Sequence, residues 1–401
     1  MPDKRIGVVV LLGITQTISW ASSFYIPGVL AEPMARDLGV TPSTIYAALS
    51  FSLMISALLG PHAGRAIDRW GGRPVLCATN LVFAAGLALL GLAQGGLGLF
   101  AAWAVLGIAM GSGLYEAAFA TVVRYYGREA RGAITGITLI GGFASTVGWP
   151  LSMLMESHLG WRGACFAWAV LQLLLCLPLN SRLPAAPALR AVAATAVTAA
   201  ATVSRMAQKP QWHGRMKSFV LLAAMCTLTL FIGTAATAHL PRLLEASGLT
   251  LAAAASAGAL MGPSQVGARV LELTVLRRVH PMFPARLAAV LIPVSAALLL
   301  ALGSPAAAMF TVVLGAGNGL FTIARGTLPL AIFGAQGYGA LQGMLMVPAR
   351  VAQGLAPWLF GLLIEHWGVQ ALWLLAALSL IALGTLLALR IESPAAAPAR
   401  A

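Results

Sequence analysis

Gly64-Arg65-Ala66-Ile67-Asp68-Arg69-Trp70-Gly71-Gly72-Arg73 is a short, charged stretch between two long apolar runs, residues 43–63 and 74–93. Gly71 and Gly72 favour a tight turn, Asp68 is suited to cap or pair across a helix end, and Arg69 and Arg73 keep their charges in water. Each flanking run is about the length that a helix needs to cross the hydrocarbon core. The loop therefore reads as a hinge between two membrane helices, and the same alternation repeats along the chain.

Outward from this loop, the apolar stretches divide into twelve spans. The first half gives 7–30, 43–63, 74–93, 98–121, 133–155 and 162–179, and the second gives 218–239, 250–271, 285–303, 305–328, 338–363 and 368–390. Only Ser304 separates the ninth and tenth, so that boundary is the weakest, and a re-entrant segment would reduce the total to eleven. Hydrophobic residues make up 59% of the chain and charged residues 9%, too few charges to cover a soluble domain of 401 residues. The reading is an all-α membrane protein of twelve transmembrane helices in two pseudo-symmetric six-helix bundles. Residues 1–180 form the first bundle and 218–401 the second, joined by the basic, alanine- and proline-containing linker 181–217 with a short surface helix over 188–207. Lys4 and Arg5 imitate a signal-peptide n-region, but the stretch after them is too long and contains Gln16, Trp20 and Tyr25, so it reads as a retained membrane helix.

Charge sets the expected orientation. With both termini in the cytoplasm, the inner side receives Lys4, Arg5, Arg65, Arg69, Arg73, Arg124, Arg128 and Arg131. It also receives Arg182, Arg190, Arg205, Lys209, Arg215, Lys217, Arg277, Arg278 and Arg286, and the other side only Arg36, Arg162 and Arg242. This is the positive-inside pattern of a multi-pass protein in a bacterial inner membrane. The net charge of +14 is thus a topology signal and gives no argument for nucleic acid. Cys77, Cys165, Cys176 and Cys226 are scattered singly among apolar residues, and six histidines form no ligand cluster, so neither a metal nor a cofactor is expected. No nucleophile–base set or phosphate loop points to an enzyme, and each bundle is expected to be stable as a monomer in the bilayer.

The halves echo each other. Gly111-Ser112-Gly113-Leu114-Tyr115 is matched by Gly317-Asn318-Gly319-Leu320-Phe321, and Gly132-Ala133 with Gly136 by Gly339-Ala340 with Gly343. Gly148-Trp149-Pro150 likewise has a counterpart in Ala356-Pro357-Trp358. Duplicated halves suit alternating access around a central site, and glycines at these spacings let helices approach closely.

Four polar stripes mark a candidate lining: Gln16, Ser19, Trp20 and Ser23; Gln265, Arg269 and Glu272; Asn318, Thr322 and Arg325; Gln342, Met346, Arg350 and Gln353. Arg350 lies level with the membrane midplane. A guanidinium that cannot lose its proton is expensive there unless it meets a polar cavity or an anion, and it suits a carboxylate. Arg350 is therefore the expected substrate contact, with Arg269, Gln265, Asn318, Gln16, Trp20 and Tyr25 as supporting candidates. Arg269 has an alternative in a local pair with Glu272, and Arg325, nearer the helix end, reads as a gate or anchor. Glu116 is the candidate proton carrier, with permanent pairing to Arg124 or another inner-face base as the alternative. Trp149 is a further cavity-shaping candidate. Pro27, Pro150, Pro263, Pro329, Pro348 and Pro357 interrupt helices or their ends, and Pro348 stands two residues before Arg350.

The loop motif, through Gly64, Asp68, Arg69, Gly71 and Arg73, resembles the signature of the major facilitator superfamily, with Gly72 replacing a frequent basic residue. The resemblance implies that this loop latches the cytoplasmic side in the outward-open state through Asp68 and Arg69. Its second-half counterpart is degraded: Gly262-Pro263 echoes Gly60-Pro61 without an Asp-Arg-x-Gly, so a second latch would draw on Arg269, Glu272, Arg277 or Arg278. Residues 111–115, Arg124-Tyr125-Tyr126-Gly127-Arg128 and Leu30-Ala31-Glu32-Pro33 are similar to the monocarboxylate porter and oxalate/formate antiporter branch. That branch implies anion-binding basic residues in helices eight and eleven, where Arg269 and Arg350 fall. A fourth-helix arginine frequent in drug-exporting relatives is missing, with Trp103 and Leu106 in its neighbourhood. The expected activity is secondary active transport of a small organic anion, a carboxylate by preference, coupled to a proton or to a counter-anion. An exporter of a larger amphipathic compound, such as a drug or siderophore, is the alternative.

Overall fold

The computed structural model describes residues 2–185 and 215–389. Most of the expected linker, and all of its expected surface helix at 188–207, lies outside the described residues. In chain order the helices are α1 (Pro2–Ala21), α2 (Pro27–Leu38), α3 (Pro42–Trp70), α4 (Gly72–Leu92), α5 (Gly95–Gly113), α6 (Tyr115–Tyr126), α7 (Arg131–Gly141), α8 (Ala144–Leu171) and α9 (Leu177–Ser181). After the undescribed segment come α10 (Met216–Ala246), α11 (Leu251–Gly258), α12 (Met261–Thr274), α13 (Met282–Leu302), α14 (Ala307–Phe333), α15 (Tyr338–Trp367) and α16 (Leu372–Ala388). Among the described residues, seven helical stretches are long and apolar enough to cross a membrane, and the shorter Arg5–Ala21 is also apolar. Two of the seven, Gly95–Ser181 and Tyr338–Ala388, run through several helices in succession. The protein is an all-α, multi-pass membrane protein.

Several expected spans are broken rather than straight. The run 7–30 divides at Ser22–Ile26, 98–121 at Leu114, 133–155 between Gly141 and Ala144, and 250–271 between Gly258 and Met261. Residues 305–328 lie within the unbroken α14, and 338–363 within the unbroken α15. The weak boundary at Ser304 is a real turn: Gly303, at φ 66°, occupies the left-handed region and a single 3-10 turn leads into α14. α8 passes Gly160, where φ 69° and ψ 172° kink it, and continues through a π-turn at Gln172–Cys176 into α9. In a bilayer every backbone group freed at such a break needs a partner from the protein.

The apolar core lies in three clusters. One consists wholly of residues 222–389 and another of residues 18–176. The third joins first-half residues around Phe119 and Ile134 to Leu330 and Tyr338 of the second half. That third cluster sits near the end of the molecule that carries the Gly64–Arg73 loop. There α3 and α15 run against each other with almost no side chain between them. A Cβ at Gly64 would collide with the carbonyl oxygen of Gly339, and one at Gly343 would stand 2.5 Å from that of Gly60. Glycine is needed here for backbone contact, not for a turn.

Candidate functional site

At the loop end, Asp68 is the last-turn carboxylate of α3. Its Oδ1 accepts from the Gly339 amide at 3.1 Å and its Oδ2 from the Ala340 amide at 2.9 Å, two orphan donors in the first turn of α15. Arg124 of α6 donates to the Asp68 carbonyl oxygen, which fixes the end of α3 from the other side. Gly71 closes the helix at φ 91°, a conformation that favours glycine. Arg69, expected to share the latch, stands over the Trp70 ring at 5.6 Å. Arg73 is exposed. The cation that holds Asp68's residue in place is Arg124, which the sequence placed only among the topology charges and as a partner for Glu116.

A second crossing links α7 to α12. Arg131 donates from Nη2 and Nε to Glu272 Oε1 at 2.8 and 3.1 Å, and Thr135 donates to Glu272 Oε2 at 2.8 Å. The same guanidinium reaches the carbonyl oxygens of Leu276, Arg277 and Val279 beyond the end of α12. Arg131 thus serves as both counter-ion and helix C-cap. The sequence motif had been lost here, but its arrangement has not. Each crossing joins a carboxylate near the end of one helix to the first turns of a helix in the other half. Arg131 was read as a topology charge; its spacing of four from Thr135, which puts both on one helix face, was the available signal.

The expected Arg269–Glu272 pair does not form, because Glu272 is taken by Arg131 and Thr135. Arg269, 4% exposed, donates to the Thr138 carbonyl oxygen at 2.9 Å and to Gln265 Oε1 at 3.3 Å, while its Nε has no partner. Thr138 lies in the last turn of α7, so the cation crosses the halves to a helix C-terminus just before the break at Gly142. Gly142 leaves room for that guanidinium: a Cβ there would overlap it. Arg325, expected at a gate, is drawn into the interior. It donates to Thr322 Oγ1 at 3.1 Å, its Nη1 is buried without a partner, and Glu116, Arg350 and Arg269 all act on its charge. Among the described residues neither arginine has a carboxylate partner.

Arg350, 4% exposed, meets Glu116 across the halves through Nη2, at 2.9 Å to one carboxylate oxygen and 2.8 Å to the other. Its Nη1 donates to Gln353 at 2.8 Å, and Trp20 lies 5.7 Å away against the guanidinium. Arg350 was expected to contact the substrate, with a pair to a buried carboxylate as the alternative; in this arrangement Glu116 occupies it. Glu116 pairs with Arg350, not with Arg124. The pair is not sealed away. Together with Ser56, Gly60, Gly111, Gly343 and Met346 it lines a small cavity with space for about one water molecule. An organic anion does not fit there in this arrangement.

The remaining candidates fill supporting places. Gln16 donates to the carbonyl oxygen of Gly113 at 2.7 Å, the group released where α5 stops. Trp20, Tyr25 and Tyr115 form one aromatic cluster, with Trp20 5.2 Å from Tyr115 and 6.4 Å from Tyr25, and Trp149 5.8 Å beyond Tyr25. Both Arg269 and Arg325 lie within electrostatic reach of the Tyr115 phenol. Asn318 abuts Gly233 of α10, a close helix crossing, and Gln265 serves Arg269.

An all-α multi-pass protein with charges from both halves meeting at its centre is a narrow class. Residues 12–313 match the Major Facilitator Superfamily, and the chain belongs to that family. It is 30% identical over 196 residues to an MFS-type efflux pump of Mycolicibacterium smegmatis, a match covering 47% of this chain and 45% of that protein. The chain thus spans less than half the length of this curated relative. Two solved structures share its fold. The proton:xylose symporter XylE, bound to 6-bromo-6-deoxy-D-glucose, has a TM-score of 0.76 at 12% identity, covering 96% of each chain. The human organic anion transporter MFSD10 (TETRAN) has a TM-score of 0.65 at 18% identity, covering 96% of this chain and 100% of the other.

Proposed function

We propose that the protein is a secondary active transporter that moves a small organic anion across the bacterial inner membrane by alternating access. The observation that carries the cargo class is the pair Arg269 and Arg325, two interior guanidiniums with no carboxylate partner among the described residues. A charge taken out of water costs several kcal/mol unless it is paired. A site left with positive charge in excess is stabilised by an incoming anion.

Two six-helix bundles, 1–180 and 218–401, joined by the linker 181–217, would rock about this centre. In this reading the Gly64–Arg73 end faces the cytoplasm, and the Asp68 and Glu272 crossings hold that side shut. Gly64, Gly71, Asp68 and Arg124 form one latch and Arg131, Thr135 and Glu272 the other. The Glu116–Arg350 pair couples transport to protons or to exchange: neutralising Glu116 removes the charge that holds Arg350 and adds a positive charge to the site. Resemblance to the monocarboxylate and oxalate/formate branch agrees with a carboxylate cargo.

The M. smegmatis relative supports a second reading, an exporter of a larger amphipathic compound lining the Trp20–Tyr25–Tyr115 cluster. Uptake of labelled organic anions into proteoliposomes, with and without a proton gradient, separates the two. Saturable anion flux that falls at least about tenfold in Arg269→Gln supports the first reading. Flux of neutral or cationic amphipathic compounds that ignores anions overturns it.

A further inference from the structure

Arg350 is the midplane cation, yet its charge is already met. The unmet charges are elsewhere, and their register brings them to one level. Gly315 abuts the carbonyl oxygen of Met261, and four residues on Gly319 abuts that of Gln265. α12 and α14 therefore run side by side in the same direction with an offset of 54 residues, which puts Arg269 level with residue 323. Arg325 is two residues, roughly 3 Å, further along. The Tyr115 hydroxyl packs at Gly141, beside the Gly142 that receives the Arg269 guanidinium.

Counting charge at this centre gives the ligand's valence. Glu116 neutralises Arg350 and Glu272 neutralises Arg131, leaving Arg269 and Arg325. A monoanion would leave one of these without an anionic partner. We infer that Arg269 and Arg325 together form a site for a dianion, a short dicarboxylate whose two ends are divided between them, while Arg350 stays with Glu116 during binding. Each guanidinium still has an unused buried N–H, Arg269 at Nε and Arg325 at Nη1, to give to a carboxylate oxygen. The Thr138 carbonyl and Gln265 hold Arg269 in place until the ligand arrives. The site fills when the halves part, since the present cavity beside Glu116 is too small.

This inference rests on the proposed anion cargo, and calorimetry on the purified full-length protein in nanodiscs distinguishes the failure of each. The titrants are oxalate, malonate and succinate, then acetate and propionate, then the neutral succinamide, all at pH 7.5. The expected result is one dicarboxylate binding at least about tenfold more tightly than any monocarboxylate. Arg269→Gln and Arg325→Gln each lower that affinity to the monocarboxylate level, and Arg36→Gln on the exposed surface leaves it unchanged. Monodisperse elution of each variant shows that it is folded. Equal affinity for mono- and dicarboxylates overturns the dianion inference and leaves the anion reading intact, as does loss of dicarboxylate selectivity in Arg350→Gln alone. Absence of binding by every anion overturns both.

Discussion

Gly111-Ser112-Gly113-Leu114-Tyr115 and Gly317-Asn318-Gly319-Leu320-Phe321 are near-copies with opposite structures. The first breaks: Leu114 is extended at ψ −166°, α5 stops and α6 starts afresh at Tyr115. The second passes through α14 without interruption. Neither contains proline, so neighbours decide. Ser112 bonds back to the Ile108 carbonyl oxygen at 2.8 Å, an interaction that bends helices. The released carbonyl oxygens are then taken up, that of Ser112 by Thr79 at 3.3 Å and that of Gly113 by Gln16 at 2.7 Å. In the other copy Thr322 bonds back to Asn318 within the helix, and Gly319 lies against the backbone of Gln265. The break has a functional product. It puts Glu116 in the first turn of a new helix, where the dipole favours a carboxylate, facing an arginine carried by an unbroken one. The central charge pair is thus assembled from one irregular wall and one rigid wall.

The largest expected effect comes from removing the charge pair that this asymmetry creates. Arg350→Ala leaves Glu116 without its partner, and loss of one member of a buried pair costs about 3–5 kcal/mol. Glu116 retains some exposure to the cavity, so the lower end is expected. Thermal unfolding in detergent should fall accordingly, and proton-driven flux should be lost. Recovery of the unfolding temperature, without recovery of proton-driven flux, in the double variant Arg350→Ala/Glu116→Ala would support pairing as the cause. In Glu116→Gln, exchange flux should persist without response to a proton gradient; a retained response sinks Glu116 as the coupling group.

Next in size is the rigid wall. Gly319→Ala drives a methyl to 2.6 Å from the Gln265 carbonyl oxygen, and overpacking of this kind costs about 1–3 kcal/mol. Gln16→Leu tests the irregular wall by orphaning the buried Gly113 carbonyl, for about 1–3 kcal/mol. Its control in the continuous α14, Thr327→Val, leaves the Ile323 carbonyl oxygen to the backbone ladder and should cost less than half as much in the same unfolding measurement. Equal losses would mean that the break needs no cap. The smallest effect is Ser112→Ala, a few tenths of a kcal/mol if Thr79 and Gln16 suffice to hold the break. Amide exchange at Ala117 and Ala118, which bond to Leu114, would report any return to a continuous helix.

Much of this was legible in the chain. Apolar runs of bilayer length gave the membrane class, and the loop motif led to Asp68 because both depend on local sequence. Arg350 was legible as a costly central charge, but its partner was not, since Glu116 is 234 residues away and periodicity carries no information across helices. Helical spacing made Glu272 the natural partner of Arg269. It lost to Arg131, which satisfies the carboxylate and three carbonyl oxygens at once. The breaks were hidden for a related reason: Leu114 and Phe143 have nothing in their own chemistry that ends a helix, and the carbonyls at the two helix ends, of Gly113 and of Thr138, accept from Gln16 and Arg269 elsewhere in the chain. Arg325 was judged by its distance from the span centre, although its side chain turns back along the helix to Thr322 and buries Nη1.

α15 carries Ala340, whose amide holds Asp68, and, ten residues along, Arg350, which holds Glu116: about 15 Å of one rod with a first-half carboxylate grasped at each point. Pro348 removes an amide between them and supplies the only joint. In the proposed cycle, whatever loosens Arg350 at the centre is passed along this one helix to the Asp68 contact, so a proton on Glu116 and the parting of that end would become a single event.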